Sequence, residues 1–163
     1  MVIFLMGAAG AGKTTVGMRL AKDLGWVFYD GDSFHPAVNI AKMRRGLPLT
    51  DADREPWLER VETLIGSLIT ERVNAVVACS ALKRRYRERI GLPHRDVALV
   101  YLKGDYALLA RRVRARRGHF LHEDLMAAQL AILEEPAADE ALTLDAAQTT
   151  AAIVAAIRAA LNV

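Results

Sequence analysis

Apolar residues along this chain follow two patterns that alternate from one end to the other. Some form short continuous runs, which are typical of buried strands, and others recur at every third or fourth position, which is typical of amphipathic helices. Strands are predicted at residues 2–6, 26–29, 75–79, 97–102 and 143–144. Helical spacing between these runs predicts a parallel sheet with helices on both of its faces. The chain is therefore expected to have an α/β fold.

Several helix boundaries can also be predicted. The helical stretches cover residues 16–24, 39–45, 53–72 and 147–161, with others that begin near residues 80 and 105 and one that ends before residue 134. Asp53 and Asp105 are suitable N-caps, because a short carboxylate accepts hydrogen bonds from the first amide groups of a helix. The stretch from about 33 to 60 has weaker periodicity at its start, and we interpret it as an insertion that contacts a ligand.

A glycine-rich segment follows the first predicted strand and precedes the first predicted helix. It fits the pattern G-x-x-x-x-G-K-[ST], and its residues are Gly7, Ala8, Ala9, Gly10, Ala11, Gly12, Lys13, Thr14 and Thr15. In such loops the backbone N–H groups and the positive end of the helix dipole surround phosphate oxygens. Lys13 is then expected to contact the β- and γ-phosphates of ATP, and the Thr14 hydroxyl to bind Mg²⁺. A glycine-rich turn without a ligand is the alternative, and the flanking strand and helix argue against it.

Two carboxylates, Asp30 and Asp32, follow the second predicted strand. Open parallel sheets bind ligands at the carboxyl ends of their strands, and the strand that ends at Cys79 offers no carboxylate there. In an extended segment, residues two apart point the same way, so we expect both side chains to converge above the phosphate loop, one strand away from it. Asp30 would bind Mg²⁺, and Asp32 would orient an acceptor hydroxyl and take its proton late. The alternative is a solvated Asp-Gly turn.

Length and composition limit the class of protein. The 163 residues suffice for one domain with a sizeable core, and 53% hydrophobic with 25% charged residues is ordinary for a globular protein. No apolar stretch is long enough to span a bilayer, and the one cysteine, Cys79, excludes an internal disulfide. No basic residue precedes the apolar N-terminal run, which disfavours a secretion signal. We expect a cytoplasmic protein without a membrane partner.

Arginines cluster at 83–89 and 111–117, although the net charge is only +3. In the second cluster, Arg112 and Arg116 are four residues apart and lie on one helix face, from which they could hold a transferring phosphoryl group. Gly118 would let a closing segment move. The alternative is a solvated basic helix or a nucleic-acid surface, but no aromatic residues interleave these arginines as they do in single-strand binding grooves. We therefore expect no nucleic-acid partner.

Several longer motifs resemble the gluconokinase family of small phosphate-loop kinases. They occur in order along nearly the whole chain: Asp30-Gly31-Asp32-Ser33-Phe34-His35-Pro36, Asn39-Ile40-Ala41-Lys42-Met43, residues 46–58, Cys79-Ser80-Ala81-Leu82-Lys83, Tyr86-Arg87, residues 116–120, Gln129, and Leu133-Glu134-Glu135-Pro136. The strings DGDxFHP, DADRxPWL and CSALK are much more specific than a phosphate loop, which many unrelated enzymes share.

The resemblance implies a P-loop kinase fold in one domain spanning 1–163. That fold is a three-layer α/β/α sandwich with a parallel five-stranded sheet, a substrate-binding insertion at about 33–60 and a lid at about 115–125. It further implies ATP-dependent phosphorylation of D-gluconate with Mg²⁺, and it favours a homodimer. A shikimate-kinase-like or other small-metabolite kinase is the alternative among enzymes, and a nucleotide-dependent switch or nucleic-acid-binding module is the alternative outside them.

The resemblance also assigns roles to individual residues. Catalytic roles fall to Lys13, Asp32 and Arg116, and Arg112 and Arg116 join the phosphate loop in binding the nucleotide. Gluconate is an anion with several hydroxyl groups, so its site needs a cation for the carboxylate and polar partners for the hydroxyls. The residues expected to bind it are Asp32, His35, Arg54, Lys83, Arg87 and His119.

Overall fold

The computed structural model describes residues 1–115 and 123–163. Its strands are β1 (Val2–Met6), β2 (Val27–Asp30), β3 (Ala75–Ala78), β4 (Val97–Lys103) and β5 (Leu142–Asp145). Its helices are α1 (Lys13–Leu24), α2 (Ala37–Arg44), α3 (Asp51–Thr70), α4 (Arg84–Arg89), α5 (Tyr106–Ala115), α6 (Glu123–Ala131) and α7 (Thr150–Leu161). None of these helices combines the length and apolar composition needed to cross a membrane.

The strands β1 to β5 form one parallel sheet in the order β2-β3-β1-β4-β5. β1 is central, with Leu5 opposite Ala78 of β3 and Val100 of β4. Helices cover both faces, so the predicted three-layer α/β/α fold with a parallel five-stranded sheet is confirmed.

Side chains of β1 alternate between two hydrophobic cores. Ile3 and Leu5 pack in the core that α1, α5 and α7 share, whereas Phe4 and Met6 pack in the core that α3 and α4 share. A strand that is buried on both faces cannot shift by one residue without exchanging both sets of side chains. The two cores therefore fix the register of the strand that leads into the glycine-rich loop.

The carboxyl ends of the strands meet at one edge of the sheet, where the loop after β1 and the carboxylates after β2 also lie. β3 lies between β1 and β2, so Asp30 is two strands away from the loop. The prediction that the carboxylates lie one strand away from the loop was wrong, because a crossover connection does not reveal from sequence which strand it will pair with.

The start of α3 also differs from the prediction. Its N-cap is Thr50, whose hydroxyl accepts a hydrogen bond from the Asp53 N–H at 3.2 Å, while the Asp53 carboxylate accepts from the Thr50 N–H at 2.8 Å. Asp53 is thus the third residue of a capping box and not the cap itself. Asp105 does cap α5, since its Oδ1 accepts from the Leu108 N–H at 2.7 Å.

The helix expected to begin near Ser80 begins instead at Arg84. Ala81 has a φ of 40°, in the left-handed region that a continuous helix of L-residues avoids. The short segment between β3 and α4 consequently crosses the carboxyl edge of the sheet as a loop, and this loop presents Lys83.

Candidate active site

The glycine-rich loop has the backbone conformation of a phosphate-binding loop. Gly7 and Gly12 have φ values of 146° and 95°, which residues other than glycine rarely adopt. At Gly7 the space is also closed, because a Cβ there would lie 2.7 Å from the Leu102 carbonyl oxygen. Gly12 is the N-cap of α1, and no side chain caps that end of the helix. The first N–H groups of α1 and its dipole are therefore directed at the loop.

Lys13 lies across the mouth of this loop. Its Nζ donates to the carbonyl oxygens of Gly7 at 2.8 Å and Ala8 at 3.2 Å. An ammonium group held beside converging amides suits the negative charge of a polyphosphate. The structure thus brings Lys13 to the loop, and its contact with the phosphates stays a prediction.

Thr14 and Asp30 are joined directly. The Thr14 hydroxyl donates to Asp30 Oδ2 at 3.0 Å, which brings the end of β2 onto the first turn of α1. Both groups offer hard oxygen ligands of the kind that Mg²⁺ prefers. Among the residues described, no group of three or more His, Cys, Asp or Glu side chains is placed to hold a metal ion. Any metal site here therefore needs oxygen atoms from a bound phosphate as well.

The segment after β2 is a 3₁₀ turn, Gly31–Phe34, and not the extended strand that was expected. Asp30 caps it, accepting the Asp32 N–H at Oδ1 over 3.1 Å and the Ser33 hydroxyl at its carbonyl over 2.6 Å. The expectation that both side chains point the same way was therefore based on the wrong backbone geometry. Asp30 turns toward Thr14, while Asp32 lines a separate cavity.

The charged groups of Asp30, Asp32 and Lys13 nevertheless act together on the buried thiol of Cys79, at the end of β3. Burial raises the pKa of this thiol well above its usual range, and the carboxylates of Asp32 and Asp30 raise it further while the Lys13 ammonium opposes them. Hydrogen bonds join the same groups, since Thr14 of the loop donates to Asp30 and Asp30 accepts the Asp32 N–H. The loop, the carboxylates and Lys13 thus belong to one site.

A cavity of about 380 Å³ opens beside this site. It is bounded by parts of the stretch predicted as a substrate-binding insertion, by the loop after β3 and by α6. Its lining residues are Asp32, His35, Met43, Pro48, Leu49, Thr50, Asp51, Arg54, Trp57, Ser80, Leu82, Lys83, Tyr86, Leu125, Ala128, Gln129 and Ile132. This volume and mixture of apolar walls with a few polar groups are typical of small-molecule sites.

His35 forms part of the cavity wall and is only 8% exposed. Its ring stacks on Trp57, with centroids 4.5 Å apart and planes inclined by 13°, and Asn39 Nδ2 lies 3.4 Å from its Nδ1. Trp57 is itself fixed by a hydrogen bond from Nε1 to the Gly31 carbonyl at 2.8 Å. Burial, aided by the positive charge of Arg54, lowers the pKa of His35 from 6.5 to about 4. The imidazole is therefore neutral near pH 7.

Two cations, Arg54 and Lys83, reach the same cavity over the ring of Tyr86. The Arg54 guanidinium carbon and Lys83 Nζ lie 5.6 and 5.5 Å from the ring centroid. Arg54 donates to the Leu49 carbonyl at 2.6 Å, and Lys83 forms a salt bridge with Asp51 at 3.0 Å. The structure thus brings both cations to one cavity, where their charges would suit an anionic ligand.

Arg87 does not reach the cavity, although it was expected to bind substrate. It is 4% exposed, and its Nη1 donates to the carbonyl oxygens of Ala81, Leu82 and Glu134 at 3.4, 3.4 and 3.0 Å. Burial lowers the pKa of its guanidinium, which Glu140 at 3.9 Å partly offsets. The structure thus corrects the prediction, because Arg87 points from α4 into the packing between two loops.

A second cavity of about 330 Å³ lies on the other side of the glycine-rich loop. Its wall includes Gly10, Thr15 and Arg112, with residues from the loop after β5 and from α7. Arg112 Nη1 donates to the Gly10 carbonyl at 3.3 Å, so this arginine lies beside the loop as predicted. Arg116 and His119, together with most of the expected lid, lie outside the described residues.

Asp51 and Gln129 are polar residues of the cavity to which the sequence analysis gave no role. Asp51 accepts from Lys83, Arg85 and Tyr86, and these partners hold the pKa of its carboxyl well below the usual range, Arg85 most strongly. Gln129 accepts a hydrogen bond from the Ala9 N–H at 2.8 Å. One signal for Gln129 was available, since it is the only polar residue between Leu125 and Leu133.

A phosphate-binding loop at the carboxyl edge of a parallel sheet, beside a cavity with cations and a carboxylate, defines a phosphate-loop kinase acting on a small molecule. The comparisons agree. The AAA domain family matches residues 2–136. The thermosensitive gluconokinase of Escherichia coli (strain K12) is 45% identical over 138 residues, which cover 83% of this chain and 73% of that protein. The chain belongs to the gluconokinase family.

Solved structures support the same assignment. A sugar kinase from Janibacter sp. HTCC2649 superimposes with a TM-score of 0.90 at 35% identity, covering 99% of this chain and 94% of that one. A gluconokinase from Sinorhizobium meliloti 1021 gives a TM-score of 0.80 at 42% identity, covering 94% and 87% of the two chains. Both fold and sequence are therefore shared along nearly the full length.

Proposed function

We propose that this chain is a gluconokinase, which transfers the γ-phosphoryl group of ATP to D-gluconate and releases 6-phospho-D-gluconate and ADP. The observation that carries the proposal is the cavity in which Arg54, Lys83 and Asp32 are brought together next to a phosphate-binding loop. Membership of the gluconokinase family supports the same substrate. A cation pair, an acceptor carboxylate and a polyphosphate site are the three parts that such a transfer needs.

The triphosphate is held by the glycine-rich loop, with Lys13 at the β- and γ-phosphates and Arg112 alongside. Loop amides and the helix dipole provide fixed positive potential, so they do not have to reorganise as negative charge shifts toward ADP. The adjoining second cavity offers room for the nucleoside.

The pair Thr14 and Asp30 fits Mg²⁺. Their oxygens are 3.0 Å apart, and neighbouring ligands of an octahedral Mg²⁺ with bonds of about 2.1 Å are separated by about 3 Å. When bound, the metal ion would neutralise charge on the β- and γ-phosphates. Of the two residues that would hold it, Asp30 is positioned by its capping of the 3₁₀ turn and Thr14 by the first turn of α1.

Asp32 serves as the acceptor carboxylate. An aspartate carboxylate is too weak a base to deprotonate an alcohol in advance. In a loose transition state the hydroxyl proton leaves late, so the carboxylate chiefly orients the nucleophile and then takes the proton. Positioning of this kind can supply about 7 to 11 kcal/mol of the barrier reduction.

Charge decides how gluconate lies in the cavity. Arg54 and Lys83 bind its carboxylate, and the neutral His35 imidazole is suited to a hydroxyl because it can donate or accept without a net charge. The acceptor hydroxyl is then placed at the opposite end of the sugar acid, at Asp32. Arg116 and His119 in the lid, a homodimer and a cytoplasmic location complete the proposal, and these rest on the family likeness.

An acceptor panel tests the substrate. Purified protein with ATP and Mg²⁺ should release ADP when D-gluconate is present and not with shikimate or D-sorbitol, which has a hydroxymethyl group in place of the carboxylate. ADP release with shikimate alone would point to a shikimate-kinase-like enzyme. If no acceptor stimulates release and the protein binds DNA or RNA in a salt-sensitive way, the switch or nucleic-acid alternative is supported.

Variants then test the assigned roles. Lys83→Met should lower kcat/KM for gluconate about ten- to hundredfold through loss of a charge-assisted contact. Arg89→Met is the control, because Arg89 on α4, the helix that follows Lys83, pairs with Glu62. Asp32→Asn should lower kcat much more than ATP affinity. Equal losses in kcat and ATP affinity would contradict the acceptor role.

A further inference from the structure

The helix α6 contributes one polar side chain to the wall between the two halves of the site. From Leu125 to Leu133 every residue is apolar except Gln129. Leu125, Ala128 and Ile132 line the acceptor cavity together with it. An amide in such a wall is costly unless its polar atoms find partners, so a purely packing role would favour Leu or Met at this position.

One partner of Gln129 is the phosphate loop itself. Its Oε1 accepts a hydrogen bond from the Ala9 N–H at 2.8 Å, across 120 positions of sequence. Ala9 is 7% exposed, so water has little access to its N–H group. Because a backbone N–H can only donate, the oxygen of the Gln129 amide must face the loop, and the NH₂ group of the same amide remains a donor.

The other side of Gln129 is the acceptor cavity, which also contains Asp32 and Lys83. The side chain thus touches the loop that holds the donor phosphates and the space that holds the acceptor. Phosphoryl transfer requires these two to be fixed relative to each other, because small displacements of the reacting atoms cost large factors in rate.

We propose that Gln129 is a positioning residue for phosphoryl transfer, which fixes the phosphate loop at Ala9 through its oxygen and donates its NH₂ group to a hydroxyl of the sugar acid. This inference rests on the proposed function, since it needs a polyol acceptor in the cavity. It predicts that binding of the acceptor and of the nucleotide are coupled, because each ligand orders the side chain that the other uses.

Two substitutions separate this role from helix packing. Gln129→Met preserves the length of the side chain and removes both hydrogen bonds, whereas Gln129→Glu keeps an acceptor for the Ala9 N–H and removes the NH₂ donor. Asp124→Asn is the matched control, because Asp124 is exposed on the same helix. For each variant the measurements are thermal unfolding, kcat and KM for gluconate, and the Kd of a non-hydrolysable ATP analogue with and without gluconate.

Gln129→Met and Gln129→Glu should both lower kcat/KM for gluconate by about five- to hundredfold, the range expected when a half-buried polar group loses its partner. The increase in analogue affinity caused by gluconate should disappear in both, while the control matches wild type. If Gln129→Met keeps both the wild-type turnover of gluconate and the effect of gluconate on analogue affinity, the proposal is overturned. If Gln129→Glu has wild-type activity, the donor role is overturned. This second variant also tests the proposal if Gln129→Met is unstable. If the wild type itself does not phosphorylate gluconate, the proposed function fails, and the coupling role fails with it.

Discussion

The buried His35 imidazole makes the stability of the protein depend on pH in a defined window. Its pKa is lowered from 6.5 to about 4, chiefly by burial against Trp57 and additionally by Arg54. Between these two pH values the unfolded chain binds a proton that the folded chain does not. Stability is therefore fully present above about pH 7, declines as the pH falls from 6.5 toward 4, and declines no further from this residue below 4.

The size of the effect follows from the difference in pKa. Each unit corresponds to about 1.4 kcal/mol, so the whole shift amounts to about 3 kcal/mol of unfolding free energy. Between pH 7 and pH 5 the contribution is about 2 kcal/mol, because the folded form is still almost unprotonated at pH 5. A loss of this size would be readily visible in a small domain.

Urea unfolding of wild type and His35→Gln at several pH values between 5 and 8 measures this contribution of His35 to the unfolding free energy. The variant loses the stacking on Trp57, which lowers its stability by an amount that does not depend on pH, and it has no imidazole to titrate. The free-energy difference between the two proteins should therefore shrink by about 2 kcal/mol from pH 7 to pH 5. A difference that stays constant over this range would refute the assignment of a neutral, buried His35.

Three further predictions concern packing and the phosphate site. Gly31→Ala should destabilise the protein by about 1 to 3 kcal/mol, since a Cβ there would lie 2.7 Å from the Ala78 carbonyl oxygen. Gly66→Ala, at an open position within α3, should stabilise it by about 0.5 to 1 kcal/mol. If denaturant unfolding shows Gly31→Ala to be the more stable of the two variants, these contacts are contradicted. Lys13→Ala should reduce kcat about a hundred- to thousandfold while its circular dichroism stays normal. Lys22→Ala, a change at an exposed position of the same helix, should leave kcat unchanged. An active Lys13→Ala enzyme would exclude the proposed contact with the phosphates. Removal of divalent cations with EDTA should abolish ADP release and added Mg²⁺ should restore it, and turnover that survives chelation would argue against a metal at Thr14.

The parts of the site that sequence predicts well are those built by local pattern. The run at 2–6 followed by a glycine-rich loop leaves little choice of structure, because a doubly buried strand and a helix N-terminus are both encoded within a few residues. Lys13 and Thr14 therefore lie at the loop, where they were expected.

Predictions that depended on the path of the chain between elements were less accurate. Asp30 and Asp32 were expected to share a face, but the Asp30 carboxylate accepts the Asp32 N–H and so folds the segment into a 3₁₀ turn. At α3, Thr50 and Asp53 are both good caps, and only the three-dimensional structure shows which of them starts the helix. Such local hydrogen-bond choices depend on neighbours that are distant in sequence.

Arg87 shows how misleading a charge can be when it is considered without its neighbours. Its guanidinium ties the loop after β3 to the backbone at Glu134 and never reaches the cavity. Anyone who wished to retarget this enzyme to a different acid would therefore vary Arg54 and Lys83, and would leave Arg87 unchanged even though all three are basic residues close together in the fold.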